Sequence, residues 1–226
     1  MNQRPIIGIV LRVEIPGKTG KLVVEEKYRK TIIKHGGNVI GILPPQLIDY
    51  TITKGSEQEE LTAEEKEMLI TQLKMVDGLL LPGGFKINKF DRFIVEYAIE
   101  NNIPMLGICL GMQTIAYYKS DLILEKNDSF INHDVEDGYA HSVTIDKGSK
   151  LFEIIGKEKI DVISRHAYHV TENSNVCVSA VSDDNIIEAV EISNNKFCIG
   201  LQWHPELSDD EPSNKIFDGF INSCKK

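Results

Sequence analysis

The chain has 226 residues, 42% of them hydrophobic, and carries a net charge of −9 at neutral pH. That apolar share is enough for a real core, whereas the acidic balance and the lack of any basic stripe argue against nucleic acid as a partner. No uninterrupted apolar stretch approaches the roughly 20 residues that span a bilayer, and the chain enters an apolar run at Pro5 with no charged-then-apolar leader, so neither a membrane nor a secretory route is expected.

Ile6–Val10 (IIGIV) is continuously apolar, as expected of a strand covered on both faces. After a loop rich in Gly, Pro and Lys, Leu22–His35 shows helical periodicity and stops at Gly36-Gly37, with His35 facing the negative end of the helix dipole. Val39–Leu43 reads as the next strand, closed by Pro44-Pro45. The charged segment 57–67 reads as a solvated helix face, and Thr62 and Glu65 have the spacing of a capping box. Val76–Leu81 is a further strand and runs into Pro82-Gly83-Gly84; Phe90–Glu100 is a helix and Met105–Ile108 a strand. Strand and helix alternating at this spacing argue for parallel strands joined by crossover helices. Beyond a helix-compatible Leu110–Lys119 the pattern changes. Ser142–Ile145, Ile160–Ser164, Val176–Val181, Ile186–Val190 and Phe197–Gln202 are short strand-like runs, and a final helix covers Pro212–Cys224. The second half therefore reads as an antiparallel extension that returns to the main sheet, all within one domain, residues 1–226.

The junction at Met105–Gln113 (MLGICLGMQ) carries the strongest chemical signal. Cys109 lies between strand and helix inside Gly107-x-Cys-x-Gly111, the cysteine form of a nucleophile elbow. The glycines let neighbouring elements approach the turn, and the helix start aims unpaired N–H groups and a positive dipole end at the sulfur, which favours the thiolate. A thiolate attacking a carbonyl needs a base, a group that orients the base, and donors for the oxyanion. Leu201–Glu206 (LQWHPE) supplies the first two. In an extended segment His204 and Glu206 share a face across Pro205, so the carboxylate can fix one imidazole nitrogen and leave the other for Cys109. Gly83 and Gly84, leaving the end of a neighbouring strand, and the N–H of Leu110 are the candidate oxyanion donors.

With these three motifs in this order the chain resembles the class I glutamine amidotransferase-like family, and within it the branch of gamma-glutamyl-gamma-aminobutyrate hydrolases. LLLPGGF, GICLGMQ and GLQWHPE carry the likeness together. It implies a flavodoxin-like three-layer α/β/α fold with a mostly parallel central sheet and a small antiparallel extension. It implies a triad of Cys109, His204 and Glu206, and an oxyanion hole from Gly84, with Gly83 beside it, and Leu110. The implied reaction cleaves a γ-glutamyl amide through a γ-glutamyl thioester, with no cofactor, on a small γ-glutamyl substrate in the cytoplasm. A homodimer is one arrangement such proteins take. The alternative is a glutaminase subunit passing ammonia to a synthase partner, which Leu110 after the nucleophile favours, since the hydrolase branch tends to have arginine there. AHSVTIDKGSKLFEIIG (Ala140–Gly156) looks like that branch's strand after the elbow region. DVISRHAYHV stands where the branch has Val-Asn-Ser-x-His-His-Gln: Ser164 and His166 are kept, whereas Ile163, Ala167 and Tyr168 replace the Asn, the second His and the Gln. The usual stretch after the elbow helix is replaced by KSDLILEK, residues 119–126.

Around this frame, Ser164, His166 and Gln113 are candidate substrate-pocket residues, and Arg165 is placed to meet a carboxylate. His166 and His169 are three apart, with His133 and His141 upstream, yet no carboxylate or cysteine falls at ligand spacing near them, so no metal is expected. Irregular spacing of Cys109, Cys177, Cys198 and Cys224 fits neither a disulfide framework nor a zinc site. Cys177 and Cys198 read as core, and Trp203 either walls the site or plugs the core.

Overall fold

The structure, a computed structural model, describes residues 3–14, 20–50, 53, 57–120, 124–172 and 174–226. The first half is strands β1 (Ile6–Val10), β2 (Arg12–Glu14) and β3 (Lys21–Val23), helix α1 (Glu26–Lys34), β4 (Asn38–Ile42), α2 (Ala63–Leu73), β5 (Gly78–Leu81), α3 (Lys89–Glu100), β6 (Met105–Ile108) and α4 (Leu110–Ala116). The second half is β7 (Glu125–Lys126), β8 (His141–Ile145), α5 (Lys150–Ile155), β9 (Lys159–Val162), β10 (Tyr168–His169), β11 (Cys177–Ser182), β12 (Ile187–Glu191), β13 (Cys198–Leu201) and α6 (Glu211–Ser223).

One sheet organises the described residues, in the order β4-β1-β5-β6-β13-β12-β11-β8-β9. The first five strands are parallel, and their order is that of flavodoxin-like sheets. From β13 onward every pairing is antiparallel, so the extension takes four of the nine strands and is continuous with the main sheet. Strand residues point alternately to two cores. Ile7, Ile9, Leu80, Leu106, Ile108, Ile199 and Leu201 meet α1, α5 and α6 on one face. Val10, Leu79, Leu81, Met105 and Cys198 meet α2, α3 and α4 on the other. Covering both faces is why these strands read as unbroken apolar runs.

The helix ends follow local chemistry. Thr62 accepts from the Glu65 N–H at 3.2 Å while Glu65 accepts from the Thr62 N–H at 2.8 Å, which is the capping box expected from the sequence. Three local expectations change. Residues Leu22 and Val23 belong to β3, paired with β2, and helix α1 starts only at Glu26; β-branched Val23 suits a pleated pair better than a helix turn. The elbow helix stops at Ala116 and not at Lys119, whose φ of 50° is left-handed. Inside Ala140–Gly156, helix α5 follows β8: Ser149 caps it by accepting from Phe152 N–H at 3.0 Å, and Gly156 ends it at φ 73°. Trp203 is core, Cys198 is buried and Cys177 is exposed, because Cys177 begins β11 at its open end. His35 ends α1 with Nδ1 2.7 Å from Asp218 Oδ1. The loop after β2 and residues 121–123 of the 119–126 segment lie outside the described residues. No helix among the described residues is long and apolar enough to cross a membrane.

Candidate active site

Ligand sites of open parallel sheets lie beyond the carboxyl ends of the strands, and a cavity of about 500 Å³ lies there. Cys109 sits at its floor, between β6 and α4, with φ 52° and ψ −107°. A non-glycine residue in that region is strained by roughly 1–3 kcal/mol and persists only where its surroundings fix it. Two features fix this one. The Cys109 N–H donates to Leu201 O at 2.7 Å, extending the β6–β13 ladder by one rung. Glycine seats the helix: a Cβ on Gly111 would lie 2.1 Å from Leu81 O, and one on Gly107 2.7 Å from the Gly111 backbone.

His204 lies three residues past the end of β13, the strand beside β6, so the two groups descend from paired neighbours. Its N–H is held by Ile163 O at 2.8 Å. The next residues do not stay extended as the sequence reading had it. Pro205–Leu207 form a 3-10 turn, with proline in the first turn where no donor is missed. That turn brings Glu206 Oε1 to 2.6 Å from His204 Nδ1. Burial acts against a charged imidazole here, but the Glu206 carboxylate and a hydrogen bond and charge at Cys109 outweigh it, pushing His204 up to about 10.

The Pro82-Gly83-Gly84 segment closes over both groups. A Cβ on Gly83 would lie 3.1 Å from His204 Cε1 and 3.6 Å from Cys109 Cβ, and one on Gly84 3.1 Å from a Leu110 methyl. Buried Arg12 anchors this segment from behind: Nη2 donates to Pro82 O at 2.7 Å and Nε to Gly83 O at 3.2 Å, while Nη1 pairs with Asp91 Oδ1 at 2.5 Å. In a trans peptide the C=O and N–H point oppositely, so holding Gly83 O toward Arg12 turns the Gly84 N–H the other way. The Gly83 N–H is already engaged, donating to Tyr28 Oη at 3.0 Å. Leu110 opens α4, a position without an intrahelical acceptor. Tyr28 itself is buried; burial first, then the charges of Glu206, Glu25 and Cys109, raise its phenol well above the usual range.

The other sequence candidates are placed differently. Gln113 lines the cavity with its amide nitrogen donating to Tyr168 O at 3.0 Å and Gln202 Oε1 at 3.1 Å. Arg165 lines the cavity, exposed, with one guanidinium nitrogen donating to Glu136 O. Ser164 is wholly enclosed and does not line the cavity. His166 borders it, but Nδ1 faces Tyr168 O at 3.1 Å and Nε2 faces Glu188 Oε1 at 3.4 Å, inside the protein. Arg12, Tyr28 and Asp91 escaped the sequence reading. Only an arginine just past the first strand could have flagged Arg12, and nothing in its spacing ties it to residue 82 or 91.

A family model described as Peptidase C26 matches residues 87–206, more than half of the chain. The chain is 31% identical to a CTP synthase of Staphylococcus aureus and 32% identical to one of Staphylococcus carnosus, in each case over 93% of this chain and 44% of the relative. It therefore spans less than half the length of the curated relatives it matches. Among solved structures it is similar to the glutaminase domain of Trypanosoma brucei CTPS with bound acivicin, with a TM-score of 0.66 at 19% identity over 97% of this chain and 93% of that one. It is also similar to a glutamine amidotransferase from Thermotoga maritima, with a TM-score of 0.59 at 15% identity over 98% and 96% of the two chains. At such identities the structural likeness concerns the fold.

Proposed function

The chain belongs to the Peptidase C26 family, and from that premise we propose that it is a cysteine hydrolase opening the γ-amide bond of glutamine or a γ-glutamyl amine. The observation that carries the reading is the strained Cys109 elbow beside an imidazole oriented by Glu206 at 2.6 Å, all on one cavity.

The Cys109 thiolate attacks the side-chain amide carbon, and the C–O double bond opens onto an oxyanion facing the Gly84 and Leu110 N–H groups. Losing one such donor typically costs about 10²–10³-fold in rate. His204, charged because Glu206 and the sulfur favour its imidazolium, gives its proton to the leaving nitrogen. The C–N bond breaks, ammonia or an amine departs, and a γ-glutamyl thioester remains. Water then attacks with the neutral imidazole taking its proton, and the C–S bond breaks to release glutamate. Arg165, on the cavity rim with donors to spare, is the residue best placed to meet the substrate carboxylate.

Incubation with glutamine and a panel of γ-glutamyl amines, with glutamate and amine both identified, tests this. Release should vanish in Cys109→Ala, and a thiol-reactive glutamine analogue should label Cys109 alone. Turnover surviving in Cys109→Ala ends the reading.

A second reading, a glutaminase that passes ammonia to a synthase partner, is supported by the likeness to CTP synthases over 93% of this chain. Good turnover without any partner on γ-glutamyl amines larger than glutamine favours the free hydrolase; weak turnover confined to glutamine favours the coupled one.

A further inference from the structure

Away from the nucleophile, four side chains from separate parts of the chain converge. His133 lies in the segment between β7 and β8, His141 opens β8, His166 lies between β9 and β10, and Glu188 is on β12. His133 Nδ1 is 3.0 Å from Glu188 Oε1, while His141 Nε2 and His166 Nε2 are each 3.4 Å from it. All four atoms lie within 4.8 Å of one another. We propose that these four residues bind one divalent transition-metal ion, zinc by the chemistry of its donors.

Three independent observations lead there. First, the spacing about the carboxylate fits: four ligands about 2.0–2.1 Å from a tetrahedral zinc stand roughly 3.3 Å apart, and the three separations from Glu188 Oε1 bracket that value, with the imidazole nitrogens drawing in around the ion. Second, these inward atoms are buried and make no hydrogen bond, although they face each other closely. The imidazoles approach the Glu188 carboxylate closely without a well-aligned N–H···O bond, and buried polar atoms so poorly satisfied are costly. Third, every imidazole has its other nitrogen held, as in metal sites where an outer acceptor fixes the tautomer. His133 Nε2 is 2.9 Å from Asp184 Oδ2, His141 Nδ1 is 3.3 Å from Ser142 O, and His166 Nδ1 is 3.1 Å from Tyr168 O. Each acceptor calls for N–H on that side and so leaves the inward nitrogen free to ligate.

Charge agrees with the assignment. A dication with the Glu188 and Asp184 carboxylates sums to zero around neutral imidazoles, where Asp184 is 3% exposed at its side chain and Glu188 not at all. Three nitrogens and one oxygen form a donor set of borderline softness that suits zinc better than calcium or magnesium. All four positions are filled by protein and closed to solvent, which marks a structural ion. It would clasp the 127–140 segment and the 163–170 segment to the antiparallel part of the sheet. Arg165, His166 and Tyr168 on the second of these border the catalytic cavity, so the ion would stiffen one cavity wall.

The untagged protein, stripped with a chelator and dialysed against zinc, should hold one zinc per chain by elemental mass spectrometry. Cobalt in its place should give the intense visible bands of a four-coordinate nitrogen–oxygen site. Asp184→Asn, which leaves all four ligands intact, should lower zinc affinity about 10–100-fold, and folded His141→Ala should lose stoichiometric binding. Wild-type protein that takes up neither metal overturns the proposal. So does a cobalt spectrum showing thiolate charge transfer, which would put the ion on Cys109, or unchanged affinity in His141→Ala.

Discussion

Arg12 and Asp91, 79 residues apart, form a buried pair at 2.5 Å, and the same guanidinium grips the carbonyls of Pro82 and Gly83. The pair thus sets the plane of the Gly83–Gly84 peptide, whose N–H the proposed reaction offers to the oxyanion. Arg12→Met should destabilise the fold by about 3–5 kcal/mol, because Asp91 keeps a buried charge with no counterpart. Arg12→Lys separates structure from chemistry. It restores a charge but lacks the fork that holds two carbonyls, so denaturant melts should recover much of the stability while kcat stays low at nearly unchanged KM.

Glu206 sets the ionisation of His204. Since the folded value is pushed up to about 10 from an ordinary 6.5, this group's contribution to stability is full below about pH 6.5 and is lost as pH rises through about 10. Melting temperature should therefore fall across that window in the wild type. In Glu206→Gln the fall should be shallower, and kcat/KM should drop about 10²–10⁴-fold at neutral pH. A wild-type slope no steeper than the variant's would contradict the pairing.

Two glycines of the site should respond in opposite ways to an added methyl. Gly111→Ala puts a Cβ 2.1 Å from Leu81 O, which is backbone and cannot step aside. Soluble yield should collapse, or stability should fall by at least about 3 kcal/mol. Gly84→Ala meets only side-chain atoms of Leu110 and Arg12 at 3.1 and 3.2 Å. That protein should fold with a much smaller loss of stability than Gly111→Ala, and its turnover should fall further than that loss accounts for.

Tyr28→Phe removes the acceptor for the Gly83 N–H. A buried donor left unmatched costs about 1–3 kcal/mol, and a chain of this size loses roughly 2–4 °C of Tm per kcal/mol. Calorimetry on the variant measures this, and an unchanged Tm would mean that water or a neighbour replaces the phenol.

The parallel half of the fold was legible because its inner strands β1, β5, β6 and β13 are doubly covered and therefore unbroken in their apolar character. Met105–Ile108 matches residue for residue. Helix α5 was missed although its cap, Ser149, and its stop, Gly156, were in plain view, since a six-residue helix has too little periodicity to register. Of the candidate site, the residues on strand ends were readable because motif spacing and strand order put them at one edge. The clamp from Arg12 to Asp91 was not, since spacing carries no information about a contact made across the sheet. The histidine cluster was half seen: three of its members were noted, but the carboxylate joins from β12, outside any local window.

The β6–β13 ladder has a temporal consequence. Cys109 and His204 are 95 positions apart in the chain, yet the rung from Cys109 to Leu201 is what sets them side by side. A polypeptide emerging from the ribosome folds from its leading end, so the elbow can form while the strand that delivers the imidazole has yet to be made. Until that late strand inserts beside its early neighbour, the nascent chain holds the Cys109 sulfur without its imidazole, and under the proposed reaction the onset of turnover would mark completion of the sheet.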